Sequence, residues 1–97
     1  MNVLETPTLN PLKMGQQMKL MTITGRAGMR MPPHHGTSEA VIIVEEGTAL
    51  LTMPEGNVPL KKGDTFIIPT KKEHTLKIIS DFMALAIMAA TSKINFI

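Results

Sequence analysis

The apolar residues of this chain fall into short runs that are typical of β-strands. The runs are rich in β-branched residues and end at glycine, proline or acidic residues, whereas no segment has the period of an amphipathic helix. Many short strands separated by regular turns predict an all-β sandwich or barrel. The predicted strands cover residues 19–24, 29–31, 40–44, 49–53, 58–60, 65–68, 74–79, 82–90 and 94–97.

Two of the predicted turns interrupt the longest apolar stretches. Residues 45–48, Glu-Glu-Gly-Thr, predict a hairpin turn, and Ser80-Asp81 predicts another turn. Residues 1–17 hold two prolines and are predicted as an N-terminal arm or edge strand. Residues 18–97 are predicted as one barrel domain, because a chain of 97 residues can bury a single modest core.

Two of the predicted strands, 41–44 and 82–90, are apolar at both odd and even positions. A strand that is buried on one face only should alternate between apolar and polar residues. Apolar residues on both faces therefore indicate that the outside of the barrel is also covered. We expect a homodimer built on this outer face, with the N-terminal arm contributing to it.

Composition excludes several classes of function. The chain is 43% hydrophobic and 19% charged, which is typical of globular domains, and its net charge of +2 gives no strong attraction to nucleic acid or membranes. The absence of cysteine excludes disulfides and thiolate metal sites. No signal peptide or membrane-spanning run is recognisable, so we expect a cytoplasmic protein with neither nucleic-acid nor membrane partners.

Candidate chemistry is concentrated in two segments that hold all three histidines, residues 33–40 and 63–74. The spacing of their glycines, histidines and proline resembles the two motifs of the cupin family, G-x5-H-x-H-x3-E-x6-G and G-x5-P-x-G-x2-H-x3-N. The residues that match are Gly28, His34 and Gly47 in the first motif and Gly63, Pro69 and His74 in the second. The resemblance implies an antiparallel double-stranded β-helix, that is, a jelly-roll barrel.

The resemblance also implies a metal site, because metal-binding cupins place three histidines and one glutamate inside the barrel. In the register that fits the glycines, the first histidine is His34 and the last is His74. The second histidine is replaced by Gly36, and the glutamate is replaced by Ala40. The implied ligand set is therefore incomplete in this register.

Strand alternation leaves two alternatives for the candidate ligands. Side chains at i and i+2 share a face of a strand, so His34 and His35 cannot both point inward on a regular strand. If His35 and Glu39 face inward, the candidate set is His35, Glu39 and His74. If a β-bulge near Gly36 changes the phase, the set is His34, Glu39 and His74.

Two hypotheses for function follow. The first is a cupin that binds a small polar or anionic molecule in a pocket formed by His34, His35, Glu39 and His74, with Lys71 recruiting the anion. The second is a metal-dependent enzyme, similar to cupin dioxygenases or isomerases. In that case a divalent iron, manganese, zinc or nickel ion is bound by residues from the same histidines and Glu39.

Overall fold

The computed structural model describes residues 6–97, and its regular elements are all β-strands. Residues 1–5 of the predicted arm lie outside the described residues. The strands are β1 (Thr8–Met14), β2 (Met18–Gly25), β3 (Arg30–Gly36), β4 (Ala40–Met53), β5 (Gly56–Lys61), β6 (Thr65–Ile68), β7 (His74–Ala89) and β8 (Ile94–Phe96). None of the described residues belongs to a helix that is long and apolar enough to cross a membrane.

The two long strands β4 and β7 form the spine of the fold. They run antiparallel from Ala40 opposite Met88 to Thr52 opposite Thr75. At one end of this pair, β2 joins β7 and β6 joins β4; at the other end, β3 joins β7 and β5 joins β4. Strands β1 and β8 extend the two sheets through β2 and β3. The result is the predicted antiparallel jelly-roll barrel.

Both predicted turns within the spine are wrong, because β4 and β7 continue through residues 45–48 and 80–81. The register between the two strands shifts between Val44 and Ala49, which marks a series of bulges. Bulges bend a strand without ending its pairing. The polar residues Glu45, Glu46, Ser80 and Asp81 are exposed. Their polarity therefore reflects an exposed bend where the spine passes from one sheet to the other.

The core lies between the two sheets and is formed by alternate residues of the spine and its neighbours. Ile42 and Val44 of β4 and Phe82, Ala84 and Ala86 of β7 are buried on the inner face. The core continues with Ile23, Met31, Ala49, Leu51, Leu60, Ile68, Leu76, Ile78 and Met88. Alternation with a period of two is what brings these residues to one side.

The sheet formed by β2, β7, β4 and β6 carries a row of apolar side chains on its outer face. Leu20 lies opposite Ile87, Ile87 lies opposite Val41, and Val41 lies opposite Ile67. Ile67 is 56% exposed, and the other three are half-buried. We call these four residues the outer apolar row. Val41 and Ile87 of this row are outward-facing residues of the two strands that are apolar at both odd and even positions.

Candidate functional site

Strand β3 brings two histidines together inside the barrel. His34 of β3 lies opposite His74 at the start of β7. The centroids of the two imidazole rings are 4.1 Å apart, and the rings meet edge to face at 63°. Both side chains are buried, with 5% and 7% of their surface exposed. The two predicted motif segments therefore meet at one point.

A β-bulge in β3 explains why His34 points inward. Met31 lies opposite Leu76 and His34 lies opposite His74, so three residues of β3 span the same length as two residues of β7. The extra residue falls at Pro32 and Pro33, which have no N–H to donate to the ladder. Both Met31 and His34 consequently face the interior.

Backbone carbonyls fix the orientation of the two rings. Nδ1 of His34 lies 2.7 Å from the carbonyl oxygen of Pro32, and Nδ1 of His74 lies 2.8 Å from that of Lys72. A carbonyl oxygen can only accept, so Nδ1 of each ring carries the proton that is donated. In the neutral ring, Nε2 is then an unprotonated acceptor or metal ligand.

Both rings are held neutral near pH 7. Burial away from water lowers the pKa of His34 to about 4; its bond to the Pro32 carbonyl opposes this shift, and the nearby His74 adds to it. Burial also lowers the pKa of His74. Two neutral imidazoles with available Nε2 atoms therefore face each other within the barrel.

The low pKa of His34 predicts a loss of stability in acid. The unfolded histidine titrates near pH 6.5, so between that value and about pH 4 the unfolded chain binds more protons than the folded protein. We expect the free energy of unfolding to fall by roughly 3 kcal/mol from pH 7 to pH 4 through His34 alone. The shift of His74 acts in the same direction.

Urea unfolding followed by circular dichroism at several pH values measures this effect. His34→Phe should flatten the dependence of the unfolding free energy on pH between pH 6.5 and 4, because the phenylalanine ring does not titrate. His35→Phe, at a half-buried position of the same strand, is the matched control and should keep most of the slope, because burial is the largest cause of the lowered pKa of His34. An unchanged slope in His34→Phe would contradict the assignment of the shift to His34.

The histidine pair borders a cavity that is mostly lined by carbon atoms. The volume that the centre of a water-sized sphere can reach inside it is about 60 Å³, whereas the full space of about 510 Å³ includes a part that is open to solvent. Four of its lining residues carry polar side chains, namely His34, His74, Ser38 and Ser92. The remaining lining residues are Leu9, Ile23, Met31, Gly36, Ala40, Ile42, Ile68, Ala86, Met88 and Ile94.

The other predicted site residues lie elsewhere. His35 is half-buried and lies opposite Asn95 of β8, and Glu39 is exposed. Lys71 is exposed and has a positive φ of 58°, while its N–H donates to the carbonyl oxygen of Gly36. None of these three residues lines the cavity. A pocket that joins His35, Glu39 and Lys71 to the two buried histidines stays a prediction.

Two serines at the cavity were not singled out from the sequence. Ser38 lies in the bend between β3 and β4, two residues after Gly36, and it lines the cavity together with His34, Gly36 and Ala40. The sequence would have pointed to Ser38 if the alternative with His34 facing inward had been extended by two further alternations. Ser92 lies between β7 and β8, and no motif marks it.

A metal ion at this site would need more donor groups than the two histidines supply. Within residues 6–97, no group of three or more histidine, aspartate or glutamate side chains is placed to hold one. His34 and His74 offer two imidazole donors. Sites for iron, manganese or zinc generally use three or more protein ligands. The described residues therefore fit only part of the implied metal site.

Comparisons with known proteins identify the family. The family model for the cupin domain matches residues 19–89. An uncharacterized protein of Methanocaldococcus jannaschii is 38% identical over 47 residues, which are 48% of this chain and 38% of that protein. The chain thus spans well under half the length of this curated relative.

Solved structures share the fold at low sequence identity. An RmlC-like cupin protein from Desulfovibrio desulfuricans superposes with a TM-score of 0.75 at 20% identity, covering 93% of this chain and 90% of that one. The DMSP lyase DddQ from Ruegeria pomeroyi gives 0.85 at 18% identity, covering 94% and 51%. A salicylate 1,2-dioxygenase from Pseudoaminobacter salicylatoxidans gives 0.72 at 20% identity, covering 81% and 24%. At these identities the likeness concerns the fold alone.

Proposed function

Because the chain belongs to the cupin family, we propose that its barrel binds a small molecule in the cavity bordered by His34 and His74. The observation that carries this proposal is the pair of buried imidazoles whose rings are 4.1 Å apart and whose Nδ1 atoms are both bonded to backbone carbonyls. Each Nε2 atom is then free to accept a hydrogen bond at the wall of a mostly apolar cavity. A hydroxyl or N–H group of a ligand would supply the donor for that bond.

The lining defines the class of ligand. Met31, Ile68 and Met88 present carbon and sulfur atoms to the cavity, which favours an apolar body. The neutral imidazoles favour a hydroxyl or N–H group that donates to Nε2. The proposed ligand is thus a mostly apolar molecule with one donor group, and its body is less polar than the sequence hypothesis assumed.

Phenol and toluene test this proposal, because they share a ring and differ in the donor group. We expect phenol to shift the methyl resonances of Met31 and Met88 in protein labelled with [¹³C-methyl]methionine. Toluene should bind about tenfold more weakly, since it lacks the hydrogen bond to Nε2, which contributes about 1 kcal/mol or more. The exposed Met83 provides an internal reference away from the cavity.

Two variants complete this test. His34→Phe should reduce the preference for phenol, because it removes one acceptor and keeps an aromatic ring of similar shape. His35→Phe should leave the preference intact, since His35 does not line the cavity. Equal affinities for the two probes, or no shift of either cavity methionine, would contradict the proposal.

A metal-dependent enzyme is the second candidate. Histidines that bind metals usually donate their other ring nitrogen to a carbonyl or carboxylate, and His34 and His74 do so through Nδ1. The described residues do not complete a set of three ligands, so no catalytic step through a metal is derived. Stoichiometric metal in protein purified without a chelator or a metal-affinity tag, lost in His74→Ala, would favour this candidate over the first.

We also propose that the partner of this chain is a second copy of itself, docked through the outer apolar row. The row crosses four adjacent strands and ends at the largely exposed Ile67. Large contiguous apolar surfaces on a protein usually mark an interface. A two-fold dimer buries the same surface on both copies.

A further inference from the structure

Lys19 of β2 is a cation on the inner side of the barrel. It is two residues before Met21 and lies opposite Met88, which lines the cavity. Its side chain is half-buried. Nζ donates to the carbonyl oxygen of Ser92 at 2.7 Å, and Ser92 is itself buried at the cavity wall. Lys19 does not itself line the cavity, but its ammonium group lies next to Ser92, at the end of the cavity that Ser92 lines.

This end of the cavity is formed by two loops that hold each other. The N–H of Thr37 donates to the carbonyl oxygen of Lys93, and the N–H of Lys93 donates to Oγ1 of Thr37, both at 3.0 Å. Ser38 and Ser92 extend from these loops to the cavity. The loops thus keep the carbonyl of Ser92, and with it the Lys19 ammonium, in a defined position.

The charge of Lys19 is not matched by the contact it makes. The carbonyl of Ser92 is a neutral acceptor. The ion pairs among residues 6–97 involve Lys61, Lys62 and Lys72, and none of them includes Lys19. A carboxylate adds the attraction between opposite charges, which a neutral carbonyl does not supply, and this attraction is stronger near a protein interior than in bulk water.

We propose that Lys19 binds the carboxylate of the ligand. The ligand class is then an amphipathic acid, whose apolar body fills the cavity and whose hydroxyl or N–H group donates to the histidine pair at His34 and His74. This inference rests on the proposed function, because it uses the same cavity. It assigns anion binding to Lys19, on the inner side of the barrel, and not to the exposed Lys71.

A matched pair of probes separates the carboxylate from the rest of the ligand. 4-Hydroxybenzoate and 4-hydroxybenzyl alcohol share the ring and the phenolic donor, and they differ in charge. Titrations would follow the methyl resonance of Met88, with affinities checked by calorimetry. We expect the unmodified protein to bind the acid about tenfold more tightly than the alcohol, and this preference should shrink as salt is raised.

Four variants test the role of Lys19. Lys19→Met keeps the apolar stem of the side chain and removes its charge, so the preference for the acid should disappear while affinity for the alcohol stays within about twofold. Lys19→Arg keeps the charge and should keep a preference. Lys77→Met and Lys71→Met remove charges from exposed residues outside the cavity and should leave the preference unchanged.

The outcomes distinguish the two proposals. If both probes bind the unmodified protein equally, or if Lys71→Met and not Lys19→Met removes the preference, this inference is overturned while cavity binding stands. If neither probe shifts Met88 although phenol does, Lys19 does not accept an acid and the inference is overturned. If phenol also fails to bind, the proposed function fails with it. Thermal unfolding of each variant shows whether a lost preference reflects a lost fold.

Discussion

Gly47→Ala is expected to destabilise the fold by about 3 kcal/mol or more. Gly47 lies in the bulged part of β4 with a φ of 78°, in the left-handed region that side chains disfavour. A Cβ built there would be 1.9 Å from the carbonyl oxygen of Asp81 and 2.9 Å from Cα of Phe82. Both are backbone atoms of β7, so the spine itself would have to shift.

Gly63→Ala separates the steric effect from the backbone effect. Gly63 has a φ of 90°, but nothing lies within 4 Å of the Cβ that alanine would add. We therefore expect a loss of about 1–2 kcal/mol, which is the cost of the left-handed conformation alone. Urea unfolding followed by circular dichroism compares the two variants. Equal losses would show that the contact between β4 and β7 at Gly47 is not the main constraint.

Ile67→Lys is expected to convert the proposed dimer into a monomer. Ile67 ends the outer apolar row, directly opposite Val41, and it is 56% exposed. A lysine there is solvated in the monomer, so the fold should be kept. In the dimer, the charge would be buried against an apolar surface. We expect the dissociation constant to rise about 100-fold or more, because a charge that is buried against an apolar surface without a partner costs about 3 kcal/mol or more.

Sedimentation at micromolar concentration measures this change. The unmodified chain should sediment as a dimer. We expect an obligate interface, which typically buries roughly 2,000 Å² or more, and such a pair stays associated at this concentration. Ile43 faces outward like Val41, two residues before it, and is half-buried. Ile43→Lys should therefore also give monomer or insoluble protein. Ile79→Lys is the control, because Ile79 is similarly exposed at 52% in the other half of β7. A monomeric unmodified chain would contradict the dimer.

Much of the fold could be predicted from local sequence. The strand at Thr65–Ile68 has the predicted bounds, and the predicted last strand is observed as Ile94–Phe96. The family resemblance also placed β3 next to the start of β7, which holds His74. These features depend on β-branched runs and on the spacing of glycine and histidine, both of which are local properties of the chain.

The continuity of β4 and β7 could not be predicted in the same way. Polar residues with a glycine, such as Glu45-Glu46-Gly47, are typical of a reversing turn and also of an exposed bend. The difference depends on whether the partner strand follows the bend. Ser80 stays opposite Thr48, so β7 does follow. This is a long-range pairing that no local window contains.

The sequence alone determined the barrel fold, the pairing of the two motif segments and the set of residues that share a strand face with His34. The tertiary structure decided which face points inward. Alternation counts residues along a regular strand, and the extra residue at Pro32 and Pro33 changes the phase by one. Only the pairing with β7 shows where that residue is inserted, and so only the fold places His34 beside His74 and brings Lys19 to the end of their cavity.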